Sequence, residues 1–540
     1  MPIDPDRVPR RPRDPATPPL VHRAAGRSVR RVGQAVLSLI LLLPCSPARA
    51  HSIVVDGLAD DWWGALPLGT NVGRIARNAA GQGEYVWRDV AGDERTDLAV
   101  PDSSVDITQV RVTGTATGLA VYVGLVSTVA PPYPVQLQIA VDTDRVNGSG
   151  QAWLGVGSDT RVAEAARWER LIQTRFGSGG TAVVLDTNFS VLASAPAVLG
   201  AVGAELFVGW NALGFGGAPA TPLRLTVATF HCSTNDQIVE VGDASVANAL
   251  DVGTTYGTPG IIPPPNTWQE LSDQIIDYSF DVWFRDAGQE TPGEVYAPLL
   301  IDKCLPNSSS PDEFITVRNV SPAALDLSVC KVGDEETPRG NEGMYRFPAG
   351  ATLAAGSIFT AANRGSLFTN VMPYAPDAEF TSASALIPDM VKDTIWASGT
   401  WGLNNTGDEA LLLDGSDTVL DVMTYGTGAY PGVTAIALPA AQQLLRRTPC
   451  ARDTDDCSLD FVNIGALATA LQITTLTVSN ACVGLAWTEV GCDYAVECAT
   501  NLGDGSWQSA TGTVWPVGLT TWTSSVPMNA APAGFRVRRY

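Results

Sequence analysis

"GLNNTGDEALLLDG", residues 402–415, sets Asp408, Glu409 and Asp414 beside Asn404, Asn405 and Thr406 around one apolar run, Leu411-Leu412-Leu413. Two readings compete for it. Oxygen-rich loops bind calcium, but the same residue types also bond their side chains back to nearby amides in tight turns. The order of the residues favours turns. Gly407 supplies a positive φ where a turn needs one, Glu409 to Leu413 makes a strand, and Asp414-Gly415 is a hairpin signal. "TVLDVMTY", 418–425, alternates as the return strand. On this reading the acids shape bends, and the fold is β.

The rest of the chain repeats that pattern. "VQLQIAV" alternates: Val135, Leu137, Ile139 and Val141 point one way, Gln136, Gln138 and Ala140 the other. "GLAVYVGL" and "LRLTVATF" behave alike, and Gly and Pro punctuate the runs. That pattern predicts half-buried antiparallel strands in sandwiches. The one candidate helix, "DTRVAEAARWERLIQTRF" at 159–176, suits a long strand pair equally well.

The chain has 540 residues, too many for one core, and roughly two to four domains are expected. Residues 1–50 read as a secretory leader: an Arg/Pro-rich start, the apolar run Ala35 to Leu43, and Ala48-Arg49-Ala50 before His51. The run is too short to span a bilayer. Arg30-Arg31 raises a twin-arginine route and Cys45 a lipidation site; the flanks of the first and Pro44 before the second argue against them. Processing removes nine Arg and three Asp, taking the formal net charge from −22 to −28. Such a surface repels phosphate backbones and anionic lipids, which argues against nucleic-acid partners and membrane insertion. The expected location is extracellular or at the cell surface.

Eight cysteines remain after processing, and in an exported chain an even number points to disulfides. Cys450 and Cys457 are close enough to close a small loop, Cys304 and Cys330 to link neighbouring strands, and Cys482 and Cys498 to face each other. Cys232 and Cys492 are left over. Zinc is disfavoured, since no CxxC pair exists and histidine is scarce.

The expected blocks are a β-sandwich over 51–286, a linker at 287–298, a second sandwich over 299–428, a disulfide-clipped extension at 429–470, and a small β module over 471–540. Three motifs of the second block, "LLIDKCLPNSSSPDEFITVRNVSPAALDLSVCKV", "YRFPAGATLAAGSIFTAA" and "LNNTGDEALLLDGSDTVLDVMTYG", resemble the lamin-tail domain in order and spacing. The resemblance implies an immunoglobulin-like sandwich that acts as an interaction module without catalytic residues. Where that family often carries Trp, this chain has Cys330. "IVVDGLADDWWGALPLG" with Asp56, Gly57, Asp60, Asp61, Trp62, Asp106, Leu119, Tyr122, Asp142 and Asp144 resembles domains related to family 9 carbohydrate-binding modules. Leu485, Trp487, Tyr494, Val496, Glu497, Trp507, Phe535 and Arg538 resemble a fibronectin-like carboxy-terminal module.

Candidate sites follow. Asp142, Asp144 and Asn147 converge before Gly148 and make a candidate calcium loop, weighed against a hairpin turn. Among Trp62, Trp63, Trp87, Tyr122, Trp153 and Trp168, Trp62 reads as core and Trp63, its outward neighbour, as a candidate sugar platform. His51 as first processed residue, with His231, raises a copper site, which the neighbouring Cys232 argues against. No G-x-S-x-G, H-E-x-x-H or Walker-type loop occurs, so no catalytic residue is assigned. The expectation is a non-enzymatic binding or scaffold protein for extracellular polysaccharide or cell-surface components. A carbohydrate-active enzyme with its site in the first block is the alternative.

Overall fold

The computed structural model describes residues 51–464, apart from 96, 99, 101, 130–132, 177–179, 256–266, 290, 307, 309–311 and 373–374, together with the backbone of strands between 473 and 539. Strand makes up 40% of the chain and helix 5%, which places it in the all-β class. The stretch 159–176 resolves as strand: Arg161–Val162, a single 3₁₀ turn at Glu164–Ala166, and Arg170–Arg175.

A meander opens the first sheet. Val72–Arg77 pairs antiparallel with Gly83–Arg88, which pairs with Ile107–Thr115, then Gly118–Leu125, then Gly203–Gly209. A second run places Val135–Asp142 between Leu223–His231 and Arg170–Arg175, followed by Thr181–Leu185 and Val191–Leu199. Val191–Leu199 also pairs with Gly203–Gly209, so the chain passes from one run to the other through shared hydrogen bonds. Ile139, Val141, Val121, Val123, Leu206 and Leu225 fill the core between them.

Alternation misleads at Val135–Asp142. Gln136 and Gln138, expected on a solvated face, are fully buried. A second apolar layer covers that face, built from Leu154, Trp168, Ala247, Leu271 and Ile276. The two amides survive there because they bond each other at 2.6 Å and Gln136 donates to the Asp236 carbonyl.

The stretch 402–415 forms the predicted hairpin. Gly407–Leu413 and Thr418–Gly426 pair antiparallel, with a bulge at Leu412/Leu413. Asp414 Oδ1 accepts the amides of Ser416 and Thr418, and the left-handed residue of the turn is Asp417, not Gly415. Gly407 has φ of +145°, and a Cβ there would meet the Thr427 amide nitrogen at 1.9 Å. Facing the hairpin is a six-stranded sheet that includes Ile358–Ala362, Phe314–Asn319, Leu299–Leu305 and Leu444–Arg447.

Thr418–Gly426 also pairs in parallel with Val72–Arg77, through Gly73↔Thr418 and Arg74↔Val419. One hydrogen-bonded ladder therefore runs from the first sheet into the hairpin. The buried Arg74 reinforces this junction: its guanidinium lies 2.6 Å from Asp455, over the Tyr430 ring, and against the Pro431 carbonyl.

The Cys304–Cys330 and Cys450–Cys457 bridges expected from the sequence are not formed. Cys304 sits in the six-stranded sheet, whereas Cys330 precedes the strand Lys331–Gly333 of the opposing one. Packed sheets lie roughly 10 Å apart, beyond disulfide reach. Cys330 Sγ turns instead to the Asp326 carbonyl, 3.8 Å away. Cys457 Sγ is held on the hairpin, 3.4 Å from the Thr424 amide and 3.6 Å from the Val422 carbonyl. Cys232 is also a free, buried thiol. The side chains of Cys482 and Cys498 lie outside the described residues; their strands, Cys482–Trp487 and Tyr494–Ala499, belong to separate three-stranded sheets.

Candidate functional site

The entry motif is a clip. Glu205, buried on Gly203–Gly209, accepts the amides of Asp56 (2.8 Å) and Gly57 (3.0 Å) and the Trp62 indole N–H (2.7 Å). Gly57 has φ of +81°, and a Cβ there would meet the Gly200 amide at 2.7 Å. The D-G-x-x-D-x-W pattern thus pins the segment before the first strand onto the sheet, with Trp62 in the core. Glu84 does the same for Trp63 and Gly64, accepting both amides at 3.0 and 2.6 Å, with Arg111 3.4 Å away. Burial outweighs that arginine and pushes the Glu84 carboxyl up to about 7.

Trp63 is half-buried, its ring 5.7 Å from His51 and its indole nitrogen enclosed. Trp87, Tyr122 and Trp168 are core, whereas Trp153 is 39% exposed with the Arg161 guanidinium 5.2 Å from its ring centre. Trp153 is the most exposed of Trp62, Trp63, Trp87, Tyr122, Trp153 and Trp168, whereas Trp63 is half-buried beside His51 although it neighbours the core residue Trp62.

The two histidines serve separate places. His51 bonds the Asp61 carbonyl at 2.7 Å, and burial lowers its pKa. His231 is buried and paired with Asp102 at 2.7 Å.

At the candidate calcium loop, Asp142 and Asp144 do come together, and with them Glu169, which sequence reading missed; one carboxylate oxygen of each lies within 4.8 Å of the others. Asp142 accepts the Arg145 amide (2.7 Å) and its guanidinium (3.2 Å), and Arg145 also binds Asp281 at 2.7 Å. Asp144 accepts the Val146 amide and the Ser149 hydroxyl. Asn147 is exposed at the bend. These are the bonds of a closed turn, with Arg145 already balancing Asp142.

The acids of 402–415 are engaged similarly. Asp408 accepts the amides of Asn404 (2.7 Å) and Glu409 (3.0 Å), Glu409 accepts that of Ala429, and Asn404 accepts the amide and hydroxyl of Thr406. Glu336 joins Asp408 and Glu409. Burial, with Glu336 close by, pushes the Glu409 carboxyl up to about 8.

A third acidic group was not legible in the sequence. Asp89 and Asp93 meet Asp251, one oxygen of each within 4.8 Å of the others. Asp106 and Glu94 border them closely enough to raise their pKa values; burial is the larger cause. Asp251 is 162 residues from Asp89 in sequence and arrives by strand pairing, Thr229↔Asp251. The only local signal was the acid run "DVAGDE" at 89–94.

Residues 293–427 match the family model of the Lamin Tail Domain. No curated protein matches the chain. Among solved structures, a DUF4876 family protein from Bacteroides thetaiotaomicron aligns over 48% of this chain and 85% of that one, at 11% identity and a TM-score of 0.23. Domains 4–9 of the surface layer protein SbsC align over 88% and 80%, at 9% identity and a TM-score of 0.08. Alignments this loose establish no common fold.

Proposed function

We propose that this chain acts outside the cell as a non-catalytic binding and scaffold protein. Its lamin-tail sandwich serves as the rigid joint, and its first block presents a face to extracellular polysaccharide. The observation that carries the reading is where the polar side chains go. Asp56, Asp144, Asp186, Asp286, Asp326 and Asp414 each accept the amide two residues ahead, at 2.7–2.9 Å. A carboxylate closing its own turn is not placed to move a proton on a substrate. His231 is buried against Asp102, away from solvent.

Support for a sugar ligand comes from Trp153. An indole 39% exposed, with the Arg161 guanidinium over one face, leaves the other face as an apolar surface on which a pyranose ring can stack. Support for export comes from the leader pattern of residues 1–50 and the charge of the remainder. Among the described residues no helix is long and apolar enough to cross a membrane.

The test is a glycan array probed with chain 51–540. The expected result is retention on at least one polysaccharide class, lost in Trp153→Ala and retained in Trp63→Ala. Binding that survives both substitutions would remove the first block's aromatic face from the account.

A further inference from the structure

We propose that Asp89, Asp93, Asp106 and Asp251, with Glu94 at the rim, form a calcium site that ties the 89–106 connection to the strand Asp251–Val252. The inference does not depend on the ligand of the binding face.

Geometry comes first. Two oxygens bound to one calcium at 2.3–2.6 Å are at most about 5 Å apart. Asp89, Asp93 and Asp251 each bring an oxygen within 4.8 Å of the other two. The donors are all oxygen, which suits calcium and not zinc or copper. Magnesium demands a tighter octahedron and keeps several waters, a poor match to this many crowded carboxylates.

The second observation is independent of the clustering. Asp89 is 5% exposed and Asp106 is 3% exposed. Asp89 Oδ2 and Asp106 Oδ1 are nonetheless buried without a hydrogen-bond partner, as are Asp93 Oδ1 and Glu94 Oε2. The opposite oxygens of the two buried residues are used: Asp89 Oδ1 accepts the Val90 amide and Asp106 Oδ2 the Gly92 amide. Asp251 is fixed by the Ile107 amide, the Val252 amide and the Thr267 hydroxyl. The backbone therefore orients Asp89 and Asp106 with one unpartnered oxygen each, while both oxygens of Asp251 already accept hydrogen bonds and would bind a cation through a remaining lone pair.

Nothing cationic answers them. Among the described residues no Lys or Arg forms an ion pair with any of the five. Of the two arginines adjacent in sequence, Arg88 donates to the carbonyls of Pro67 and Leu68, and Arg95 is spent on Asp97 at 2.6 Å and on the carbonyls of Ala247, Val241 and Asp243. Buried, unpaired carboxylates are costly and must take up protons or a cation. This contrasts with Asp142, where Arg145 supplies the charge.

The experiment uses chain 51–540 stripped with chelator. Calcium is titrated by calorimetry, and melting is followed with chelator and with roughly 1 mM CaCl₂. Three variants are compared: Asp93→Asn at the rim, Asp251→Asn inside, and Asp144→Asn at the other acidic turn. Calcium is expected to raise the melting temperature of the unsubstituted chain and of Asp144→Asn alike, with about tenfold weaker binding in Asp93→Asn. If Asp251→Asn does not fold, the half-exposed Asp93 still decides the matter. Calcium that leaves both calorimetry and melting unchanged overturns the site in favour of shared protons. Loss of binding in Asp144→Asn with Asp93→Asn unaffected overturns it in favour of the 142–149 turn.

Discussion

Asp455→Ala removes the acidic partner at the junction between the first sheet and the hairpin. Arg74 is 1% exposed, and its ion pair with Asp455 spans 2.6 Å. Asp455 Oδ2 also accepts the Arg77 amide at 2.7 Å. Truncation leaves a guanidinium buried without its anion, at a cost of ~3–5 kcal/mol. It also orphans a backbone amide, worth ~1–3 kcal/mol. The two effects share one oxygen and do not add fully, so a total of ~4–6 kcal/mol is expected. The Tyr430 ring and the Pro431 carbonyl stay in place but carry no formal charge, and Asp453, the other carboxylate acting on Arg74, offsets only part of the loss because it makes no ion pair with it. Urea unfolding of chain 51–540 followed by tryptophan fluorescence reads the loss, with the exposed Asp60→Ala as control, expected within ~0.5 kcal/mol. Replacing Arg74 and Asp455 together by leucine is expected to recover at least half of the loss, because no charge is then stranded. An Asp455→Ala variant within ~1 kcal/mol of the parent would refute the view that this pair locks the junction.

Glu205→Ala strands the Asp56 and Gly57 amides and the Trp62 indole, and a loss of ~3–5 kcal/mol is expected on thermal or urea unfolding. For Glu84 the sign follows from its raised pKa: its ordinary value is 4.5 and its folded value about 7, so its contribution is favourable below 4.5 and lost as pH rises through 7. Glu84→Gln should therefore flatten the fall in stability between pH 5 and 8 by at most ~1.4 kcal/mol per pH unit, and an unchanged slope would contradict the assignment. Asp302 runs the other way. Burial opposes its ionisation, but Lys303, Arg318 and Arg446 outweigh it and hold the carboxyl at about 2, so its stabilisation is present above 3.8 and lost as pH falls through 2. Asp302→Asn should therefore destabilise at neutral pH far more than at pH 2. Cys232, Cys304, Cys330 and Cys457 are expected to react with a thiol reagent only after denaturation without reductant; burial raises all four thiols, Cys232 to about 11 and Cys457 to about 12. Their absence from the denatured chain would restore the disulfide expectation.

What could be read in the sequence was local. The turn at Asp414 and the one at Asp326 are each closed by an amide two residues on, so residue type and spacing suffice to place them. Trp62 was legible as core because a tryptophan is more often buried than exposed. Long-range facts were not. Nothing near Gly73 announces Thr418 as its partner, and nothing near Gln138 announces the apolar layer over its face. The cysteines failed because an even count carries no distances, and Cys304 and Cys330 belong to opposing sheets. Asp251 joined Asp89 and Asp93 only through a strand register that no local pattern encodes.

The most direct check on the central claim is to incubate chain 51–540 with each polysaccharide it retains and analyse the soluble fraction by mass spectrometry. Bound ligand with no new fragments, and no change in its chain length, is the predicted result. Steady release of shortened or oxidised products, abolished by substituting a carboxylate or His51, would contradict it.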